Sequence, residues 1–347
     1  MYLTIKNTLS AALLLLLMTT SSSMALKANE IDHIYYFGDS LFDTGYMDHS
    51  EGFLPDGQSP IYTTPHGHVA PYYLSRAFNQ PLQANDVDPL PTPPTTPWTD
   101  GALTGNDYAA GGAVTSGEGI GFEHYRPPAL DYQISHFLAT HDPQANPNDV
   151  YFIWAGSNDI LKTFLTYKSE PAKIISEMDK AIDAGTDTLK NEVKILYDAG
   201  ARHIYVLNLP PMGDTPLMNK SALFKTIGNQ VSEQFNAALI VKLASLHEDG
   251  IENTPVVNIY QLLTDITTEI DTKHIYTEPG TALTLTDDSD PACLDSVESS
   301  LALAINCKNW VPEAKQQQYL FADNVHPTDT AHQILAIHLE QFLKSQK

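Results

Sequence analysis

The chain has 347 residues, 42% of them hydrophobic, and a formal net charge of −23 from 42 acidic and 19 basic side chains. That length supports a substantial single core or two smaller ones. The acidity argues against nucleic acid as a partner and against electrostatic docking on anionic membranes.

Residues 1–25 read as a secretory signal peptide: Lys6, an apolar run from Leu9 to Met18, then the small-x-small sequence Ser23-Met24-Ala25, with cleavage expected after Ala25. The apolar run is too short to span a bilayer, and no later stretch is long and apolar enough. The expectation is therefore a secreted product, extracellular or periplasmic, whose residues 26–347 form one domain.

From about residue 31, short apolar runs alternate with helical stretches. Ile34 to Phe37 (IYYF) predicts a first strand, and VYFIWA at 150–155 a second. Residues 171–199 carry helical spacing through Ile174, Ile175, Met178, Ile182, Leu189, Val193 and Leu196, with Gly200 as the stop. HIYVLNL at 203–209 predicts a third strand, 215–248 a long and mostly helical segment, and PVVNIY at 255–260 a fourth strand. A last helix is expected from Thr328 to Lys344. Strands apolar on both faces, each followed by a helix, indicate an α/β protein with a parallel sheet covered on both sides. Such sheets carry their functional residues on loops at the carboxyl ends of the strands.

Two segments depart from the alternation. PLPTPPTTPW at 89–98 is too rich in proline for a helix or inner strand and predicts an extended surface loop. Residues 264–309 lack a strong period and hold Asp287, Asp288, Asp290, Cys293 and Cys307, which predicts an insertion. The acidic cluster lacks the spacing of a calcium loop and reads as solvated. In an exported chain the two cysteines suit one disulfide closing a loop of about 15 residues and contributing roughly 3 kcal/mol. Two unrelated buried thiols are the alternative. A zinc site lacks further ligands at suitable spacing.

Four stretches fall at predicted strand ends or before the last helix: Gly38-Asp39-Ser40-Leu41, the glycine-bearing 106–117, Gly156-Ser157-Asn158-Asp159, and Asp323 to His326. Together they supply the parts of an acyl transfer through a serine ester. A serine hydroxyl needs a base, and histidine suits that role near neutrality. Asp323, three residues before His326, can reach the second imidazole nitrogen. The N–H groups of Ser40 and Gly112 and the side-chain amide of Asn158 are candidate donors to an oxyanion.

These four blocks, in this order, resemble those of the GDSL lipase/esterase family, the SGNH hydrolases, over nearly the whole mature chain. The resemblance implies Ser40 as nucleophile, Asp323 and His326 completing the triad, and Ser40, Gly112 and Asn158 as the oxyanion hole. Asp107 stands where the family usually has asparagine. The family fold implied is a flavodoxin-like three-layer α/β/α sandwich with a parallel sheet, without cofactor or metal. The longer string FGDSLFDTG resembles secreted bacterial phospholipases A, lysophospholipases and glycerophospholipid:cholesterol acyltransferases. Several of those carry a cysteine-bridged loop near the Asp–His block, as Cys293 and Cys307 would.

The function expected is hydrolysis of a lipid acyl ester, with transfer of the acyl group to an alcohol such as a sterol as an extension. The alternative within the family is a short-acyl esterase or carbohydrate deacetylase. A binding protein without turnover is disfavoured because no triad member is missing. The partner expected is the lipid or acyl-ester substrate itself, with transient contact to membrane lipid or micelles and no obligate protein partner. Phe42, Phe53, Leu54, Phe122 and Tyr125 flank the blocks and are candidates either for an acyl groove or for ordinary core. The bridged loop is a candidate for controlling access to the site.

Overall fold

A computed structural model describes residues 31–46, 62–85, 105–121, 126–140, 144–252, 254–298 and 303–346. Residues 1–25, expected to be a leader, the proline-rich 89–98, and Phe53, Leu54, Phe122 and Tyr125 lie outside the described residues. Nearly continuous burial marks the central sheet, whose strands β1 (Ile34–Gly38), β2 (Val150–Trp154), β3 (His203–Leu207) and β4 (Val256–Val257) pair in parallel in that order. Successive side chains point to opposite faces. Tyr35, Phe37, Tyr151, Ile153, Ile204 and Val206 enter one core; Ile34, Tyr36, Phe152, Trp154, Tyr205 and Leu207 enter the other. Apolar on both faces, the sheet must be covered on both.

The helices are α1 (Ala70–Ala77), α2 (Leu130–Thr140), α3 (Ser157–Tyr167), α4 (Pro171–Ala199), α5 (Pro216–Asn219), α6 (Ala222–Ala244), α7 (Ile259–Lys273), α8 (Leu294–Glu298), α9 (Glu313–Gln316) and α10 (Asp329–Ser345). The first core is closed by α2, α3, α4 and α6, and the second by α1, the start of α7 and α10. Helix α4 begins with proline at its first position, where no N–H is needed, and stops at Gly200 as its sequence predicts. Thr328 caps α10, its hydroxyl accepting the Ala331 N–H. Among the described residues no helix is long and apolar enough to cross a membrane.

On the far side of β1, Tyr36 forms a parallel bridge with Asp107: the Tyr36 N–H donates to the Asn106 carbonyl and the Tyr108 N–H to the Tyr36 carbonyl. Counting that stub as a strand, the spatial order is 2-1-3-4-5, the flavodoxin-like arrangement. Its switch point falls at the carboxyl end of β1.

Three expectations need correction. The fourth strand is only Val256–Val257, because Asn258 turns the chain by capping α7, its side chain accepting the Gln261 N–H at 3.0 Å. The irregular segment does not begin at 264, since α7 continues to Lys273 with Ile266, Thr267 and Ile270 buried on one face. The chain beyond α7 is also more ordered than a loop. Strands β5 (Tyr276–Thr277) and β6 (Thr284–Leu285) form an antiparallel pair, and β7 (Asp287–Pro291) pairs in parallel with β8 (Tyr319–Phe321). Asp287 lies within β7, accepting the N–H groups of Ser289 and Asp290. Ile266, Ile270, Leu285, Phe321 and Ile334 make a third apolar cluster that packs this segment down. Cys293 and Cys307 form a disulfide with Cα atoms 6.1 Å apart.

The inward face of α4 is testable. Leu196→Ala, at a fully buried position, should lower stability by about 2–5 kcal/mol. Ile195→Ala, 43% exposed one residue earlier, should stay within about 0.5 kcal/mol. Guanidinium unfolding measures both, and equal losses would contradict the assigned face.

Candidate active site

β1 ends on Gly38, and the Asp39 carbonyl accepts the N–H groups of Phe42 and Asp43, both at 3.1 Å, so the chain turns sharply with Ser40 at its head. Residues 322–327 make a comparable turn after β8, the Ala322 N–H donating to the His326 carbonyl at 2.8 Å. The two turns meet although Ser40 and His326 are 286 residues apart, with His326 Nε2 lying 2.8 Å from Ser40 Oγ. His326 Nδ1 lies 2.7 Å from Asp323 Oδ2. The carboxylate fixes the proton on Nδ1 and leaves Nε2 to accept the serine proton.

Asp323 is fully buried. Burial by itself pushes its carboxyl up. The His326 imidazole and the N–H groups of Val325 and Ala304 more than offset that, and the net direction is below the ordinary value. Oδ1 accepts Val325 N–H at 2.8 Å and His326 N–H at 2.7 Å, and Oδ2 accepts Ala304 N–H at 2.6 Å. A carboxylate so supplied stays ionised, as the partner of an imidazolium must.

The oxyanion donors expected from the sequence come from neighbouring strand ends. Asn158 lies in the first turn of α3 just after β2 and donates one amide hydrogen to the Ala113 carbonyl at 3.0 Å, and the second has no acceptor among the described residues. Gly156 before it has φ +118°, and a Cβ there would lie 2.5 Å from Phe235, so glycine is required for α3 to start here. Gly112 has φ +82°, and a Cβ on it would meet the Ile120 carbonyl oxygen at 2.1 Å. The N–H groups of Ser40 and Gly112 donate to no described acceptor. Ser40 and Asn158 line an apolar cavity beside the triad, whereas Gly112 stands outside its wall.

Three further carboxylates lock these turns together. Asp43 accepts Gly111 N–H at 2.7 Å, joining the serine turn to the glycine turn. Asp107 accepts Thr44 N–H and Ala109 N–H, which explains an aspartate where asparagine is usual. Asp159 accepts the N–H and hydroxyl of Thr115, joining the glycine turn to α3. Burial outweighs these donors, pushing Asp43 and Asp159 up to about 6 and Asp107 well above its ordinary value. In the sequence these roles are legible only as Asp residues near turns.

The apolar cavity, of about 90 Å³, opens directly beside Ser40 and His326. One wall is α7, through Ile259, Leu262, Leu263 and Ile266, a helical stripe that the sequence conceals because its first residue also fits a strand. The opposite wall comes from Leu161 of α3 and Met212, Leu217 and Met218 around α5. Phe42 is not part of it. It is fully buried, packed edge-on to Tyr36, Phe152 and Trp154, and is core.

The sequence profile described as GDSL-like lipase/acylhydrolase matches residues 34–339. The chain belongs to that family. Relatives in Arabidopsis thaliana include GDSL esterase/lipase At5g37690, 27% identical, with 90% of this chain and 89% of the relative covered. The anther-specific proline-rich protein APG is 25% identical over 88% of this chain but only 60% of its own length. Inactive GDSL esterase/lipase-like protein 25 is 24% identical over 86% of this chain and 68% of its own length.

Asp39 provides a pH test of the site. It lies beside Ser40 on the cavity wall, 2% exposed, and burial pushes its carboxyl up to about 7, with Asp159 and Asp43 adding to that and the Leu41 N–H and His326 opposing it. A folded value above the unfolded one means that the native state binds the extra proton, so stability falls as pH rises from about 4 to about 7. Asp39→Asn, which keeps an acceptor for Leu41, should gain stability relative to the parent across that window and no further above it. A difference in unfolding free energy independent of pH would contradict the buried, protonated Asp39.

Proposed function

We propose that this protein is a serine ester hydrolase acting on long acyl chains, with a lysophospholipid or phospholipid as the substrate class. The observation that supports this reading is an apolar cavity opening directly onto the Ser40–His326 pair. Ser40 Oγ attacks the acyl carbonyl while His326 Nε2 takes its proton, and Asp323 stabilises the imidazolium that forms. The tetrahedral oxygen is received by the Ser40 N–H and the Asn158 amide, with Gly112 N–H as the third donor. His326 then returns the proton to the leaving alcohol, and a water, activated by the same imidazole, releases the acid. An alcohol in place of that water gives acyl transfer, and apolar walls that keep water out favour it.

Each methylene buried against these walls contributes about 0.8 kcal/mol, so every added methylene the cavity encloses favours a longer acyl group over acetyl. The leader sequence and the disulfide support an exported protein.

A series of p-nitrophenyl esters from acetyl to palmitoyl, followed by lysophospholipids with product analysis, tests the reading. kcat/KM should rise at least a hundredfold from acetyl to the longest chain accepted. Ser40→Ala should lose three or more orders of magnitude. Ile266→Trp, which narrows the α7 wall, should move the preference toward short chains. A flat or inverted chain-length profile would remove the lipid assignment, and an active Ser40→Ala would remove the mechanism.

A further inference from the structure

The bridged segment reaches the reacting groups by an unexpected route. Ala304 donates its N–H to Asp323 Oδ2, the same oxygen that faces His326 Nδ1. Ala304 is the first residue of a one-turn 3-10 helix, Ala304–Asn306, so its N–H has no partner within the helix and points outward. That turn is fixed at both ends. The Leu303 N–H donates to the Asn306 side chain at 2.8 Å, and the Cys307 N–H donates to the Ala304 carbonyl. Cys307 is bonded to Cys293, and Cys293 donates its own N–H to the carbonyl of Ala322, the residue before Asp323. The path from Ala304 through the disulfide to Ala322 therefore closes a ring on the catalytic carboxylate.

We propose that the Ala304 N–H is a positioning group for the reaction, delivered by the disulfide-closed segment to hold the Asp323 carboxylate in plane against His326. The inference rests on the triad reading of the site. It differs from control of access, because the contact lies behind the imidazole, on the side away from Ser40. Oδ1 already takes two N–H donors from its own turn. On Oδ2 the Ala304 N–H is the donor that comes from outside that turn, and the oxygen would otherwise rely on the imidazole. The other titratable groups facing His326 are Asp39 after β1, His332 on α10, and Tyr62, whose ring centroid lies 5.1 Å from that of the imidazole.

The direction of the effect follows from the charge. A donor beside the carboxylate favours the more negative, deprotonated form of the Asp323–His326 pair. Without it the pair holds its proton to higher pH, and the acidic limb of kcat/KM moves upward.

Replacing the Ala304 amide by an ester, with lactic acid incorporated in place of alanine, removes this N–H and little else. The variant should lose at least tenfold in kcat toward p-nitrophenyl octanoate, keep KM within twofold, and shift the acidic limb to higher pH. Ala304→Gly, which keeps the N–H, should match the parent. A folded ester variant with parental kcat and limb overturns the proposal, because water or nothing at all then serves as well. Should the ester variant not fold, the Ala304 amide resonance of the intact protein decides. A shift that titrates with the acidic limb, and is lost in Asp323→Asn, supports the contact; an invariant shift overturns it. Ser40→Ala measured alongside separates the two claims, since an active Ser40→Ala defeats the triad, while an inactive one beside a parental ester variant defeats only the role of Ala304.

Discussion

A buried negative charge is the constraint on which the site depends. Asp323 has no exposure, and an isolated carboxylate at such a place costs many kcal/mol. Here it is surrounded by donors from its own turn, by the His326 imidazole, and by Ala304 from a segment held through a disulfide. The same arrangement that makes the charge tolerable also fixes the imidazole, and the imidazole in turn meets Ser40. Folding and catalysis thus draw on one set of hydrogen bonds.

The sheet explains why residues so distant in sequence meet. Ser40 follows β1, Asn158 follows β2, and the glycine turn follows the strand stub at Asp107, on the other side of β1. The cavity lies where the three apolar clusters come together. Leu161 and Met212 belong with one sheet face, Ile259 and Leu335 with the other, and Ile266 and Phe321 with the third cluster. A space at the junction of independently packed clusters is apolar by construction, and its polar groups are confined to the reacting end.

The amino-acid pattern makes much of this legible. Val150–Trp154 and His203–Leu207 are continuous apolar runs and read as inner strands, and α4 starts and stops where Pro171 and Gly200 require. The blocks around Ser40, Asn158 and His326 are legible because each sits at a strand or helix end and resembles a known family pattern. The apolar cavity is not. Its α7 wall begins in a run that also fits a strand, and only the Asn258 cap separates the two. Nor can spacing alone reveal that Asp43, Asp107 and Asp159 tie turns together, because most of their partners are backbone N–H groups. The contact from Ala304 to Asp323 depends on the path of a segment without periodicity, and no local signal marks it.

The most direct measurement is covalent trapping. An octyl fluorophosphonate, followed by peptide mass spectrometry, should add one phosphonyl group to the peptide bearing Ser40, and His326→Ala should abolish that addition. Modification of a different serine, or none in a folded protein, would contradict the assignment of Ser40 and His326 as the reacting pair.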